Sequence, residues 1–171
     1  GMVVGVADLS GTVLARTDEP VDIADGPEAV LSRVEELVDE LLARLRHPAP
    51  VWGIGVGVPG PVEFSTGRTV APPIMPGWDG YPVRERLVSE FGVPVWVDND
   101  VNVMALAELR RGVARGYSTV LFVKIGTGIG CGIHLAGDVY RGVDGCAGDI
   151  GHIQVDSHGP VCSCGNVGCL E

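Results

Sequence analysis

From Gly151 to Glu171 the chain reads Gly-His-Ile-Gln-Val-Asp-Ser-His-Gly-Pro-Val-Cys-Ser-Cys-Gly-Asn-Val-Gly-Cys-Leu-Glu, which crowds three thiols, two imidazoles and carboxylates into one short segment. Cys162, Cys164 and Cys169 offer three thiolates, and one nearby imidazole completes the tetrahedral donor set that suits zinc. Gly165 and Gly168 free the loop to take the positive φ angles a tight wrap needs. Disulfides fit the pattern less well. Two cysteines separated by one residue close a strained ring, and the five cysteines of the chain cannot all pair. Spacing alone leaves both histidines in reach. His152 precedes an apolar Ile-Gln-Val step that reads as a short strand able to hold the ring, whereas His158 stands in a Ser-His-Gly-Pro turn, so His152 is the favoured ligand. His47 and His134 read as surface or satisfied strand histidines, and Cys131 and Cys146 as free core cysteines.

The elements that must position these groups belong to a folded chain. Its 171 residues, 46% hydrophobic with a mean hydropathy of +0.28, are enough for one medium domain or two small lobes. Twelve basic against twenty-two acidic residues leave a net charge of −10, the wrong sign for a phosphate backbone, so direct nucleic-acid contact by this chain is not expected. No apolar run approaches the ~20 residues of a membrane span, and no signal-peptide pattern opens the sequence. Reduced cysteines in a metal pattern point to the cytoplasm. Gly1 before Met2 reads as a residue left by tag removal, with the gene beginning earlier and continuing past Glu171.

Val3–Ala7 and Thr12–Ala15 read as a β-hairpin around Asp-Leu-Ser-Gly. From Glu28 to Arg46, Val30, Val34, Leu37, Leu41 and Leu45 recur at helical spacing, with Asp25 and Glu28 as a capping-box pair and Pro48 as the stop. Val51–Val58 reads as a central strand, followed by Pro59-Gly60-Pro61 and a Pro/Gly-rich loop over 71–80 that is expected to face a ligand. Pro82–Phe91 is a short helix closed by Gly92, and Val93–Val97 a buried strand ending in Asp98-Asn99-Asp100. A second helix spans Val101 to Arg111. Polar groups at a strand's C-terminal end are a usual ligand site in α/β sheets, the lesser alternative being that Asn99 or Asp100 merely caps the helix. After a boundary at Arg115–Tyr117, Thr119–Ile125 is a strand leading into Gly126-Thr127-Gly128-Ile129-Gly130. That stretch is a hairpin tip whose N–H groups could approach a phosphate, although no P-loop lysine follows. Ile133–Val139 is expected to be a strand and hairpin turning at Gly137-Asp138.

These motifs together resemble the ROK family of repressors, open reading frames and sugar kinases. The resemblance rests on Cys162-Ser-Cys164-Gly-Asn-Val-Gly-Cys169-Leu-Glu171 with Gly148-Asp149-Ile-Gly-His152, supported by Val58-Pro59-Gly60, Gly77-Trp78, Asn99-Asp100 and Gly126–Gly130, in the family's order. It implies an α/β, actin-like and ribonuclease-H-like two-lobe fold with a zinc loop, truncated at one or both ends. The first lobe, lacking its opening strand, would occupy 1–114 and the start of the second 115–171. It further implies zinc held by His152, Cys162, Cys164 and Cys169, and a sugar or phosphosugar bound by Asn99, Asp100, Asp149, His152 and Glu171. Homo-oligomers are expected. In the family's kinases the residue matching Asp100 is the general base that takes the hydroxyl proton as that oxygen attacks the γ-phosphate of ATP–Mg²⁺.

The departures from the kinase pattern are equally specific. The Asp-x-Gly-Gly-Thr phosphate loop has no counterpart, and Asp149 stands where the kinases carry Glu, withdrawing the carboxylate by ~1.5 Å. Asp at that position resembles the repressor branch, in which a winged helix-turn-helix precedes the sugar domain. The sequence reading is therefore the sugar-binding effector domain of a ROK-type regulator, with an ATP-dependent hexose kinase and a structural zinc domain as alternatives. A helix-turn-helix upstream would favour the regulator, and a strand ending Asp-x-Gly-Gly-Thr the kinase.

Overall fold

The computed structural model describes all residues except 47–49, so the readings of His47 and of Pro48 as a helix stop lie outside the described residues. β1 (Met2–Ala7) and β2 (Val13–Glu19) form an antiparallel hairpin. The Asp8 carboxylate closes its turn by accepting from the Ser10 and Thr12 amides. The strand pleat sends Met2, Val4 and Val6 to one face, where they pack on the C-terminal half of α1 (Pro27–Ala43) through Leu37 and Leu41. The N-terminal half of α1 turns Val30 and Leu31 into a second core, so one helix serves both clusters.

The expected capping box does not form. Gly26 is the N-cap with φ 88°, Pro27 presets the first helical φ, and Asp25 belongs to a preceding 3₁₀ turn. Glu28 instead accepts from the Tyr81 hydroxyl and pairs with Arg86. The helix stops at Ala43, short of the expected Arg46.

β3 (Ile54–Val58) starts later than expected, because its parallel partner supplies its first contact only at Pro94, whose carbonyl accepts from the Ile54 amide. Short strands β4 (Val62–Glu63) and β5 (Arg68–Thr69) precede α2 (Val83–Phe91), which Gly92 closes at φ 64°. β6 (Val95–Asn99) then pairs in parallel with β3, which among the described residues has no second strand neighbour and so is not central. The 71–80 loop is anchored on the core. Met75 and Trp78 are buried in the core beside Val58, Val62, Leu87 and Val97, and the Trp78 indole donates to the Ile23 carbonyl.

α3 (Asp100–Arg111) packs against both the β3–β6 pair and the sheet of β7 (Thr119–Ile125), β8 (Ile129–Leu135) and β9 (Asp138–Val139). The β8–β9 turn falls at Ala136 and Gly137, both with positive φ, one residue earlier than Gly137-Asp138. No described helix is long and apolar enough to cross a membrane.

Candidate functional site

Beyond β9 the chain winds through a loop into a 3₁₀ turn, Ile150–His152, and then into the cysteine segment. Single bridges pair Gln154 with Cys169 and Val161 with Val167, folding the segment back on itself. Gly165 and Gly168 have φ of 87° and 64°, and a Cβ on Gly168 would lie 1.6 Å from the Asp156 carbonyl oxygen, so the fold-back requires glycine there.

This wrapping brings one donor atom each from His152, Cys162, Cys164 and Cys169 within 4.8 Å of one another. The Cys164 and Cys169 sulfurs are 3.7 Å apart, and Cys162 Sγ is 3.5 Å from His152 Nδ1. A disulfide needs ~2.05 Å, whereas ligands ~2.3 Å from a tetrahedral metal stand about 3.8 Å apart, so the spacing has the size of a metal site. His158 is not in this set, and its ring Nδ1 faces the Ser157 hydroxyl at 3.0 Å. Cys131 is buried, but Cys146 is exposed and so is not a core cysteine, because it rides a surface loop with its thiol on the Asp144 carbonyl.

The loop treats its thiols unequally. The amide N–H of Cys164 beside its sulfur pulls the Cys162 thiol down to about 6, while burial pushes Cys169 up to about 12. The second nitrogen of His152 points elsewhere, Nε2 lying 3.9 Å from Asp149 Oδ1. Glu171 closes the group, with Oε1 at 3.7 Å from His152 Nδ1 and Oε2 accepting the Ile129 amide at 2.9 Å.

Ile129 is in the hairpin tip between β7 and β8, and the tip's glycines have a packing role. A Cβ on Gly128 would come within 2.8 Å of Glu171 Oε2, and one on Gly130 within 3.2 Å of Val101 on α3. Gly126, Gly128 and Gly130 all lack positive φ, and Thr127 is exposed, so these glycines admit neighbours rather than special backbone angles. The tip therefore touches the cysteine loop on one side and the first turn of α3 on the other.

At that turn the polar strand end is already engaged. Asn99 caps α3, its Oδ1 accepting from the Val101 amide at 3.0 Å, while its Nδ2 donates to the Gly60 carbonyl at 2.9 Å. Asp100 Oδ2 accepts from the Lys124 ammonium of β7 at 2.6 Å. Asp98, nearly buried, takes Arg141 Nε and Nη2 on Oδ2 at 2.9 and 2.7 Å, and the Asn99 amide and Asn102 Nδ2 on Oδ1. The Arg141 guanidinium is stacked 3.8 Å above the Phe64 ring.

The structure thus forms two groups, one of His152, the three cysteines, Glu171 and Asp149, the other of Asn99, Asp100 and their cations, joined by the hairpin. Sequence reasoning missed Lys124, Arg141 and the pairing of Arg141 with Asp98. The signal for Lys124 was available, since it is a lone charge in the run Val-Leu-Phe-Val-Lys-Ile and the chain's single lysine. Arg141 left no local trace, because its partner is 43 residues away.

Known proteins share the sequence pattern and the fold of this chain. The ROK family profile matches residues 2–171. A glucokinase of Halalkalibacterium halodurans is 35% identical over 95% of this chain and 49% of its own length. A xylose repressor of Caldicellulosiruptor bescii is 32% identical over 97% of this chain and 42% of its own. The crystal structure of a ROK family glucokinase from Streptomyces griseus, in complex with glucose and AMPPNP, superposes with a TM-score of 0.80 at 30% identity, over 96% of this chain and 51% of that one. The chain spans about half the length of the curated relatives it matches. With a mixed α/β, actin-like sugar-kinase fold and a family match along its whole described length, the chain belongs to the ROK family.

Proposed function

We propose that this chain is the sugar-binding effector portion of a ROK-type transcriptional regulator, with one structural zinc ion held by His152, Cys162, Cys164 and Cys169. The observation that carries the reading is the state of Asp100. Lys124 holds Oδ2 while Asn99 is spent on its helix cap and on Gly60, which leaves Asp100 Oδ1 as a fixed acceptor for a sugar hydroxyl. That suits a sugar-binding corner, and the regulator part of the reading rests on Asp149 standing where the family's kinases carry Glu. Bound zinc would fix the His152 ring through Nδ1 and leave Nε2, beside Asp149, for a sugar hydroxyl. Asn99, Asp100, Asp149, His152 and Glu171 form the proposed sugar contacts. Association of copies is part of the same proposal.

Calorimetric titration of the full-length protein with xylose, glucose and their phosphates tests the reading. One of these is expected to bind and to change operator affinity, and binding with no effect on DNA would remove the regulator assignment. For the metal, one zinc per chain is expected, with a marked drop in melting temperature on chelation. Metal analysis of purified protein without zinc would refute it.

The second reading, an ATP-dependent sugar kinase, is favoured by Asn99-Asp100 standing where β6 runs into α3, and by the glucokinase relatives. In it Gly126, Thr127, Gly128 and Gly130 would face the phosphates of ATP–Mg²⁺, and Asp100 would be the base. A coupled phosphorylation assay on the full-length protein decides between the two.

A further inference from the structure

The single lysine among the twelve basic residues of the chain sits on the inward face of β7, between Val123 and Ile125. An ammonium inside an apolar strand is costly unless it is paired. Lys124 is opposite Gly130 across the hairpin, and cross-strand partners share a face. Because Gly130 has no side chain, the hairpin settles against Val101, and Lys124 reaches past it to Asp100 Oδ2 at 2.6 Å. The pair is partly shielded, with side chains 37% and 22% exposed.

Asp100 opens α3, where a carboxylate is drawn back to the free amides of the first turn. Asn99 has already taken that task by capping Val101, so Asp100 is left free to swing outward. Among the described residues, Lys124 is the one hydrogen-bond partner of its side chain. We infer that Lys124 is a positioning residue for Asp100. It ties down Oδ2 so that Oδ1 is the oxygen offered to a sugar hydroxyl. The inference rests on the sugar-site reading above. Lys124 acts through Asp100 and not by touching the sugar.

The test is calorimetry on the full-length protein with xylose and glucose, comparing Lys124→Met, Lys124→Arg, Asp100→Asn and the Asp100→Asn/Lys124→Met double variant. Lys124→Met is expected to weaken the better-bound sugar about tenfold, and Lys124→Arg to stay within about threefold, at matching melting temperatures. In the Asp100→Asn background, Lys124→Met should change affinity less than about twofold. Equal losses in both backgrounds, no loss in either, or arginine no better than methionine would overturn the inference while the sugar site stands. If neither sugar binds the parent, the sugar-site reading falls and the inference falls with it. A readout that needs no sugar is acetic anhydride labelling of Lys124, followed by mass spectrometry. It should run several-fold faster in Asp100→Asn than in the parent, and equal rates would refute the ion pair itself.

Discussion

Cys162 and Cys169 share one loop but are driven in opposite directions, the first toward thiolate by a neighbouring amide and the second toward thiol by burial. The sign of the linkage follows from this. With its value depressed to about 6, Cys162 stabilises the fold above the range where an unfolded thiol ionises, and that contribution fades as pH falls through about 6. In chelated protein, iodoacetamide should therefore label Cys162 with a midpoint near 6, while Cys169, near 12, stays unreactive at neutral pH; peptide mapping across pH checks both. Asp100 is the other residue whose chemistry is exposed to a single change. Asp100→Asn places a donor where hydroxyl protons would be accepted and removes the partner of Lys124, and a sugar affinity lower by ~1 to 3 kcal/mol is expected by calorimetry. Binding equal to the parent's would move the sugar away from this corner.

Between residue and fold stand the elements, and β6 with α3 is the one most dependent on buried charge. Asp98 receives two nitrogens from Arg141 and two further N–H groups, with its side chain only 11% exposed. Arg141→Met would leave that carboxylate without a counter-charge, and urea unfolding should show a loss of ~3 to 5 kcal/mol. Adding Asp98→Asn should restore part of it, because the uncompensated charge is then gone. This network also marks how far the sequence could be read. Helices α2 and α3 and strand β7 were legible because each carries its own periodicity and its own stop, Gly92 and Gly112 included. The cysteine loop was legible because its donors are close in sequence. Three features were not: the Asp98–Arg141 pair, the burial of Trp78, and the contacts of Asn99 with Gly60 and of Asp100 with Lys124. Each depends on a partner brought in by the fold, at Phe64, Ile23, Gly60 or Lys124. The capping box failed for a related reason, since Pro27 and Gly26 settled the start of α1 and left Glu28 to pair with Arg86 on another helix.

On the scale of the whole molecule, the two groups of site residues are joined by a single hairpin, whose tip rests on Glu171 and on the start of α3. Ile129, Gly130 and Lys124 thus form a continuous line of contacts from the cysteine loop to Asp100, made of packed backbone and one ion pair. On the regulator reading proposed above, ligand contacts on both sides of the hairpin would be read as a change in its seating. Phosphoryl transfer asks more of the same corner: a metal-bound nucleotide and a hydroxyl held in line within a fraction of an ångström. On the regulator reading, the 171-residue chain is expected to show no turnover of xylose or glucose with ATP–Mg²⁺ in a coupled assay. Turnover of about 1 to 100 s⁻¹, the usual kinase range, would move the chain to the kinase side of its family.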